Sequence, residues 1–163
     1  MDKLQWIQNK ICDREQLLRH CNIWRSFGKK IVFTNGCFDI LHYGHLHLIA
    51  TAANMGNVLV VGLNTDSSVK SLKGESRPVV HEQERLFQVA SLLCTDAVCL
   101  FDEDTPEELI QTIKPDILVK GGDYTIDTVV GADFVQGNGG RVEIVPLVEG
   151  YSTSSLIANI KKL

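Results

Sequence analysis

Apolar positions along the chain change period repeatedly, from a helix-like three or four residues to short continuous runs and back. Residues 3 to 26 carry Leu4, Ile7, Ile11, Leu17, Leu18, Cys21 and Ile23 at mostly helical spacing, which predicts one or two amphipathic helices. Asp13 followed by Gln16 predicts the start of the second through a variant of the capping box. Ile31-Val32-Phe33-Thr34 is a β-rich run after the turn-like Phe27-Gly28-Lys29-Lys30, and predicts a first strand stopped by Gly36. From Tyr43 onward, Leu46, Leu48, Ile49, Ala52 and Ala53 form a helical apolar face ending near Gly56. Asn57 to Leu63 is then almost wholly apolar, as suits a parallel strand buried on both faces.

The alternation continues with a loop over 64–78, a helix over about 82–93, a strand over 97–101 and a helix opened by Thr105-Pro106-Glu107-Glu108. Pro106 suits a first helical turn and the two acids suit its dipole. A strand at 117–119, a weaker helix at 128–138, a strand at 142–146 and a C-terminal helix from about Thr153 complete the pattern. Strands alternating with helices predict an α/β fold built on a doubly wound, five-stranded parallel sheet. No repeat or low-complexity linker divides the 163 residues, so a single domain is expected, with 1–30 as a helical extension and 31–162 as the core. The extension reads as a cover for the sheet edge or as a homodimer surface, with the cover preferred.

Composition narrows the function. A formal charge of -4 argues against a broad basic face for duplex nucleic acid, whereas a small anionic ligand needs only a local pocket. The N-terminus has no charged-then-apolar signal segment, and no apolar run approaches the ~18 residues of a membrane span, so a cytoplasmic location without membrane association is expected. The five cysteines are odd in number and contain no C-x-x-C pair, pointing to reduced thiols and neither a disulfide framework nor a zinc site.

Candidate chemistry concentrates where the first strand runs into the following helix. If that helix starts near Tyr43 or Gly44, His42 and His45 lie on one side of its first turn, beside amides lacking intrahelical partners. Gly44 then removes a side chain where a phosphate would approach, and Gly36 lets the strand turn. By spacing alone the two histidines are as readily structural as functional, and a metal site is the less favoured functional reading because no third Cys or His follows in the next helix, although Asp39 could contribute. Cys37 in the same stretch reads as a small filler rather than a nucleophile. His20, His47 and His81 have no comparable setting.

The segment Gly36-Cys37-Phe38-Asp39-Ile40-Leu41-His42-Tyr43-Gly44-His45 resembles the G-x-F-D-x-x-H-x-G-H signature of the cytidylyltransferase-like nucleotidyltransferases. Lys73-Gly74 with Arg77-Pro78, and Glu149 to Ser155, extend the resemblance over about residues 31–162. Within that superfamily, Thr34 to Asp39, Leu72 to Pro78 and Leu118 to Tyr124 are similar to the adenylyltransferases that make ADP-activated heptose, in stand-alone form. The arginine of the family's R-T-E-G-I-S-T-T segment is replaced here by Leu147, and together with Lys120-Gly121-Gly122-Asp123 the resemblance favours ATP over CTP.

The resemblance implies a Rossmann-like nucleotidyltransferase fold and transfer from ATP to D-glycero-β-D-manno-heptose 1-phosphate, giving ADP-heptose and pyrophosphate, a step toward bacterial surface polysaccharide. It implies His42, His45 and Lys73 as catalytic groups. Nucleotide contacts are implied for Cys37, Phe38, His42, His45, Lys120, Gly121, Asp123, Gly150, Ser152, Thr153 and Ser154. Substrate contacts are implied for Asn35, Asp39, Lys73 and Arg77. Arg85 could steady a loop or assist a phosphate. Mg2+ is expected, held largely by substrate oxygens and water with no protein ligand assigned. The alternatives are a CTP-dependent cytidylyltransferase acting on glycerol 3-phosphate or an alditol phosphate, and a nucleotide-binding regulatory module without turnover.

Overall fold

The computed structural model describes residues 2–122 and 124–162. Five parallel strands form the sheet among these residues: β1 (Ile31–Gly36), β2 (Val58–Asn64), β3 (Ala97–Phe101), β4 (Ile117–Gly121) and β5 (Arg141–Val145), in the order β3-β2-β1-β4-β5. The chain winds outward from β1 through β2 to β3, then crosses back to place β4 on the other side of β1. This reversal is the topological switch point, where open α/β sheets bind ligands beyond the carboxyl ends of their strands. Asp116 and Asp96 accept hydrogen bonds from the Ile31 and Leu59 amides, each at 2.7 Å, and so close the opposite, amino-terminal edge.

Successive β1 residues enter different layers, as strand geometry requires. Ile31 and Phe33 join Leu17, Cys21, Val60, Leu109, Ile110 and Leu118 under α2 (Arg14–Ser26) and α6 (Glu107–Ile113). Val32 joins Ile49, Ala52, Val61, Leu86 and Val89 under α3 (Tyr43–Ala53) and α5 (Glu82–Ala90). Burial on both faces explains why β2 is apolar from Val58 to Leu63.

The N-terminal residues are not peripheral to this core. After α1 (Lys3–Gln8), Ile11 makes a parallel bridge to Val98, with Cys12 N donating to Val98 O at 2.9 Å and Val98 N to Lys10 O at 2.8 Å. The anticipated capping box at the start of α2 is complete: Asp13 and Gln16 exchange side-chain-to-amide hydrogen bonds of 2.7 and 2.9 Å. Leu17 and Cys21 are fully buried against the sheet, so a division into a 1–30 extension and a 31–162 core cuts through one apolar layer.

Two elements differ from the sequence reading. The 64–78 loop contains a helix, α4 (Asp66–Lys73), whose Thr65 cap accepts from Ser68 N at 3.2 Å. Its serine-rich composition resembles a loop, and fully buried Val69 supplies the tertiary anchor that local propensity does not. The weak helix at 128–138 resolves into a 3-10 turn (Ile126–Thr128) and α7 (Ala132–Gly137), separated by Gly131 at φ 85°. Before the final helix α8 (Thr153–Ile160), Gly150 turns the chain at φ 81°.

Candidate active site

A cleft of about 840 Å3 opens at the carboxyl ends of the strands. Its centre is the crossing from β1 to α3. The left-handed residue there is Phe38, at φ 45°, whereas the sequence assigns the sharp turn to Gly36. Gly36 instead makes room: a Cβ on it would lie 3.1 Å from the Phe38 ring, which folds back beneath the strand end and is 2% exposed. That ring meets His45 edge-on, with centroids 5.1 Å apart.

His42 caps α3 without using its side chain, and its imidazole stacks on His45 with centroids 3.8 Å apart. A Cβ on Gly44 would meet His42 Cε1 at 3.1 Å. The space expected to admit a phosphate against Gly44 is therefore taken by the His42 ring, and the imidazole pair itself forms this wall. The Nδ1 atoms of both histidines are buried without a hydrogen-bond partner. Burial, the neighbouring His42 and the positive Lys73 push the His45 pKa down to about 4. Burial and Lys73 also lower that of His42. Two neutral imidazoles beside a cation form a site in which an incoming polyanion is met by charge and by hydrogen-bond donors.

The remaining groups come from strand and helix ends. Lys73, closing α4, lines the cleft, and so does Lys120 at the end of β4, where burial lowers its pKa. The Lys120 ammonium lies 5.3 Å from the Tyr124 ring centroid. Ser152, Thr153 and Ser154 bring the start of α8 to the cleft beside the start of α3, where the Tyr43 and Tyr151 ring centroids lie 5.0 Å apart. The Ser152 hydroxyl accepts from Ser155 N at 3.0 Å, so it serves as a helix cap. Asn35, Cys37, Phe38 and Gly121 also line the cleft, whereas Gly150 shapes the turn ahead of α8. Asp123 lies outside the described residues.

Asp39 departs from its expected role in substrate contact. It is 1% exposed, and its Oδ1 accepts from the Val79 and Val80 amides at 2.8 and 2.9 Å. Its Oδ2 accepts from Arg77 Nε at 2.6 Å, with Arg77 Nη2 2.5 Å away in an ion pair. The carboxylate is a fastening beneath the cleft, and Arg77 lines the cleft wall while its Nε is held by that fastening.

Sequence reasoning missed another part of the wall: Asn64 at the end of β2, and Asp104 and Thr105 after β3. Asp102 is held by the Ser67 and Thr65 hydroxyls and Glu103 by Arg14, leaving Asp104 as the neighbouring acid that lines the cleft. Its place just beyond a strand's carboxyl end is the signal that could have found it. Among the described residues, no group of three or more His, Cys, Asp or Glu side chains is placed to hold a metal ion. No described helix is long and apolar enough to cross a membrane.

Residues 33–157 match the Cytidylyltransferase-like family. The chain is 55% identical over 152 residues to the bifunctional protein HldE of Syntrophotalea carbinolica, covering 93% of this chain and 31% of that protein. Its similarity to the bifunctional protein HldE of Caulobacter vibrioides is 55% over 151 residues, with the same coverages. The chain thus spans about a third of the length of these curated relatives. Among solved structures, the lipopolysaccharide core biosynthesis protein of Thermoplasma volcanium is 30% identical with a TM-score of 0.60, covering 77% of this chain and all of that one. Pantoate-beta-alanine ligase of Francisella tularensis, crystallised with beta-gamma ATP and beta-alanine, shares the fold at 15% identity and a TM-score of 0.66, over 91% of this chain and 72% of its own. The family match spans β1 to α8 and so contains both walls of the cleft, which places this chain in the cytidylyltransferase-like family as a nucleotidyltransferase.

Proposed function

We propose that the domain transfers the adenylyl group of ATP to D-glycero-β-D-manno-heptose 1-phosphate, releasing pyrophosphate and forming ADP-heptose. The observation that carries this reading is the stacked His42–His45 pair at the start of α3, lining one cleft with Lys73 and the start of α8. Similarity to the HldE proteins and to the lipopolysaccharide core biosynthesis protein supports a sugar phosphate as acceptor. Leu147, in place of the cytidylyltransferase arginine, lines the cleft beside Val148 and supports ATP.

In this mechanism a sugar-phosphate oxygen, already anionic at neutral pH, attacks the α-phosphorus in line. The new O–P bond forms as the bond from the α-phosphorus to the bridging oxygen breaks, and pyrophosphate leaves with that electron pair. No general base is needed. The chain's task is to hold two polyanions together and stabilise charge that grows on the α-phosphate and leaving group. His42 and His45 donate hydrogen bonds to those oxygens, Lys73 and Lys120 supply positive charge, and the free amides at the start of α8 face the triphosphate. Mg2+ would arrive on the triphosphate, coordinated by its oxygens and water, and would neutralise part of its charge. Asp104 and Thr105 recognise sugar hydroxyls on the far wall.

A pyrophosphate-release assay pairing ATP and CTP with heptose 1-phosphate, glycerol 3-phosphate and hexose phosphates tests the proposal. Release is expected with ATP and the heptose phosphate. Release confined to CTP and glycerol 3-phosphate overturns the substrates, and tight ATP binding without product from any pair indicates a regulatory module.

A further inference from the structure

Arg85 is the largest fully buried side chain of the domain, yet it does not line the cleft. Its guanidinium has three partners on three segments. Nε donates to Val80 O at 3.0 Å, Nη1 to Cys37 O at 2.6 Å and Nη2 to Asp66 Oδ1 at 2.8 Å. Cys37 belongs to the turn that delivers the histidines, Asp66 opens the helix that ends at Lys73, and Val80 lies in the connection between that helix and α5. Asp39 makes a second fastening between the same turn and connection, through Arg77, Val79 and Val80. The two helix starts are also tied together, since Asp66 N donates to Glu82 Oε2 at 2.8 Å.

Burying a guanidinium is costly unless its donors are satisfied, and a hydrophobic side chain of similar volume would fill the same space without that penalty. What an apolar replacement cannot do is fix three backbone segments at a set distance. A planar fork with five donors in rigid geometry is suited to that task, and a lysine ammonium is not. We infer that Arg85 is a positioning residue: with the Asp39–Arg77 pair it makes residues 66–85 and the 37–39 turn one rigid block, setting Lys73 relative to His42 and His45. The block carries Cys37, Phe38 and Lys73 but not the start of α8, so its loosening lowers turnover more than it weakens nucleotide binding. This inference rests on the reading of Lys73 as a group that contacts the transferring phosphates.

The test is a double-mutant cycle on kcat, run well below the measured Tm of every variant. Arg85→Lys keeps the charge but cannot serve all three partners, and Asp66→Asn weakens one arm of the fork at a half-buried site. Each is combined with Lys73→Ala. Either single change should lower kcat about 10- to 100-fold, as misplacing a catalytic group by about 1 Å does, with ATP affinity falling by a clearly smaller factor. In the Lys73→Ala background the same changes should have little further effect, because the group they position is gone. Full multiplicative losses in that background, or parallel losses of ATP affinity and kcat, overturn the positioning role and leave Arg85 as a stabilising residue only. If Lys73→Ala alone leaves turnover unchanged, the assignment of Lys73 to the reaction has failed, an outcome distinct from additivity.

Discussion

The His45 imidazole illustrates how a single residue's environment sets its chemistry. In the folded chain it titrates at about 4, against an ordinary value of 6.5, because it is buried beside His42 and Lys73. Between those values the unfolded chain holds a proton that the folded chain does not, so His45 makes folding progressively less favourable as pH falls from 6.5 toward 4. His45→Ala removes this liability. Thermal melts across that range should show the variant gaining on the wild type as pH falls, and a constant difference would refute the buried, neutral state. At neutral pH the same variant should lose about 100-fold in turnover, the usual consequence of deleting one preorganised donor to developing charge. The signature residues were legible because glycines and histidines at fixed spacing mark the strand-to-helix crossing. Asp39 was misread because sequence cannot show that its carboxylate is already spent on Arg77 and two amides.

Elements were legible in proportion to their periodicity. β2 is apolar from Val58 to Leu63, and α2 carries an apolar stripe with a capping box, so both emerge from pattern alone. In α4, Val69 and Leu72 lie among serines, lysines and an aspartate, and the helix is held by long-range ties that no local window contains. The same limit applies to Arg85, whose three partners come together only in the fold. α2 offers a direct check of its place in the core. Leu17→Ala should cost about 3 to 5 kcal/mol in denaturant unfolding, as fully buried leucines do. Leu18→Ala, at a position 40% exposed on the same helix, should cost well under ~1 kcal/mol. Equal, small effects at both positions would mean that the helix is only draped on the domain.

At the scale of the whole molecule, the switch point separates Asp104 from the start of α8. The β4 and β5 side presents Lys120, Leu147 and the start of α8, while the β2 and β3 side presents Lys73 from the segment after β2, and Asp104 and Thr105 from the segment after β3. A triphosphate is repelled by the free carboxylate of Asp104, whereas a polyol can donate hydrogen bonds to it. Asp104→Ala should therefore raise KM for the sugar phosphate by about tenfold or more, the worth of a hydrogen bond to a charged group, and leave KM for ATP unchanged. Equal increases in both would remove the division. The parallel sheet and its winding were predictable from alternation, but the pairing of the two walls depends on strand order, which the sequence pattern does not encode.

The bridge between Ile11 and Val98 has a consequence for the protein's behaviour in a crowded solution. An outer strand with unpaired amides and carbonyls is a template onto which another chain can add, and repeated addition leads to aggregation. Here Val98, in the middle of the outer strand β3, has both outward backbone groups taken by Lys10 and Cys12. A visiting strand would have to displace this segment before it could find a register. Residues 10–12 thus occupy the edge position at Val98 that an added strand would need.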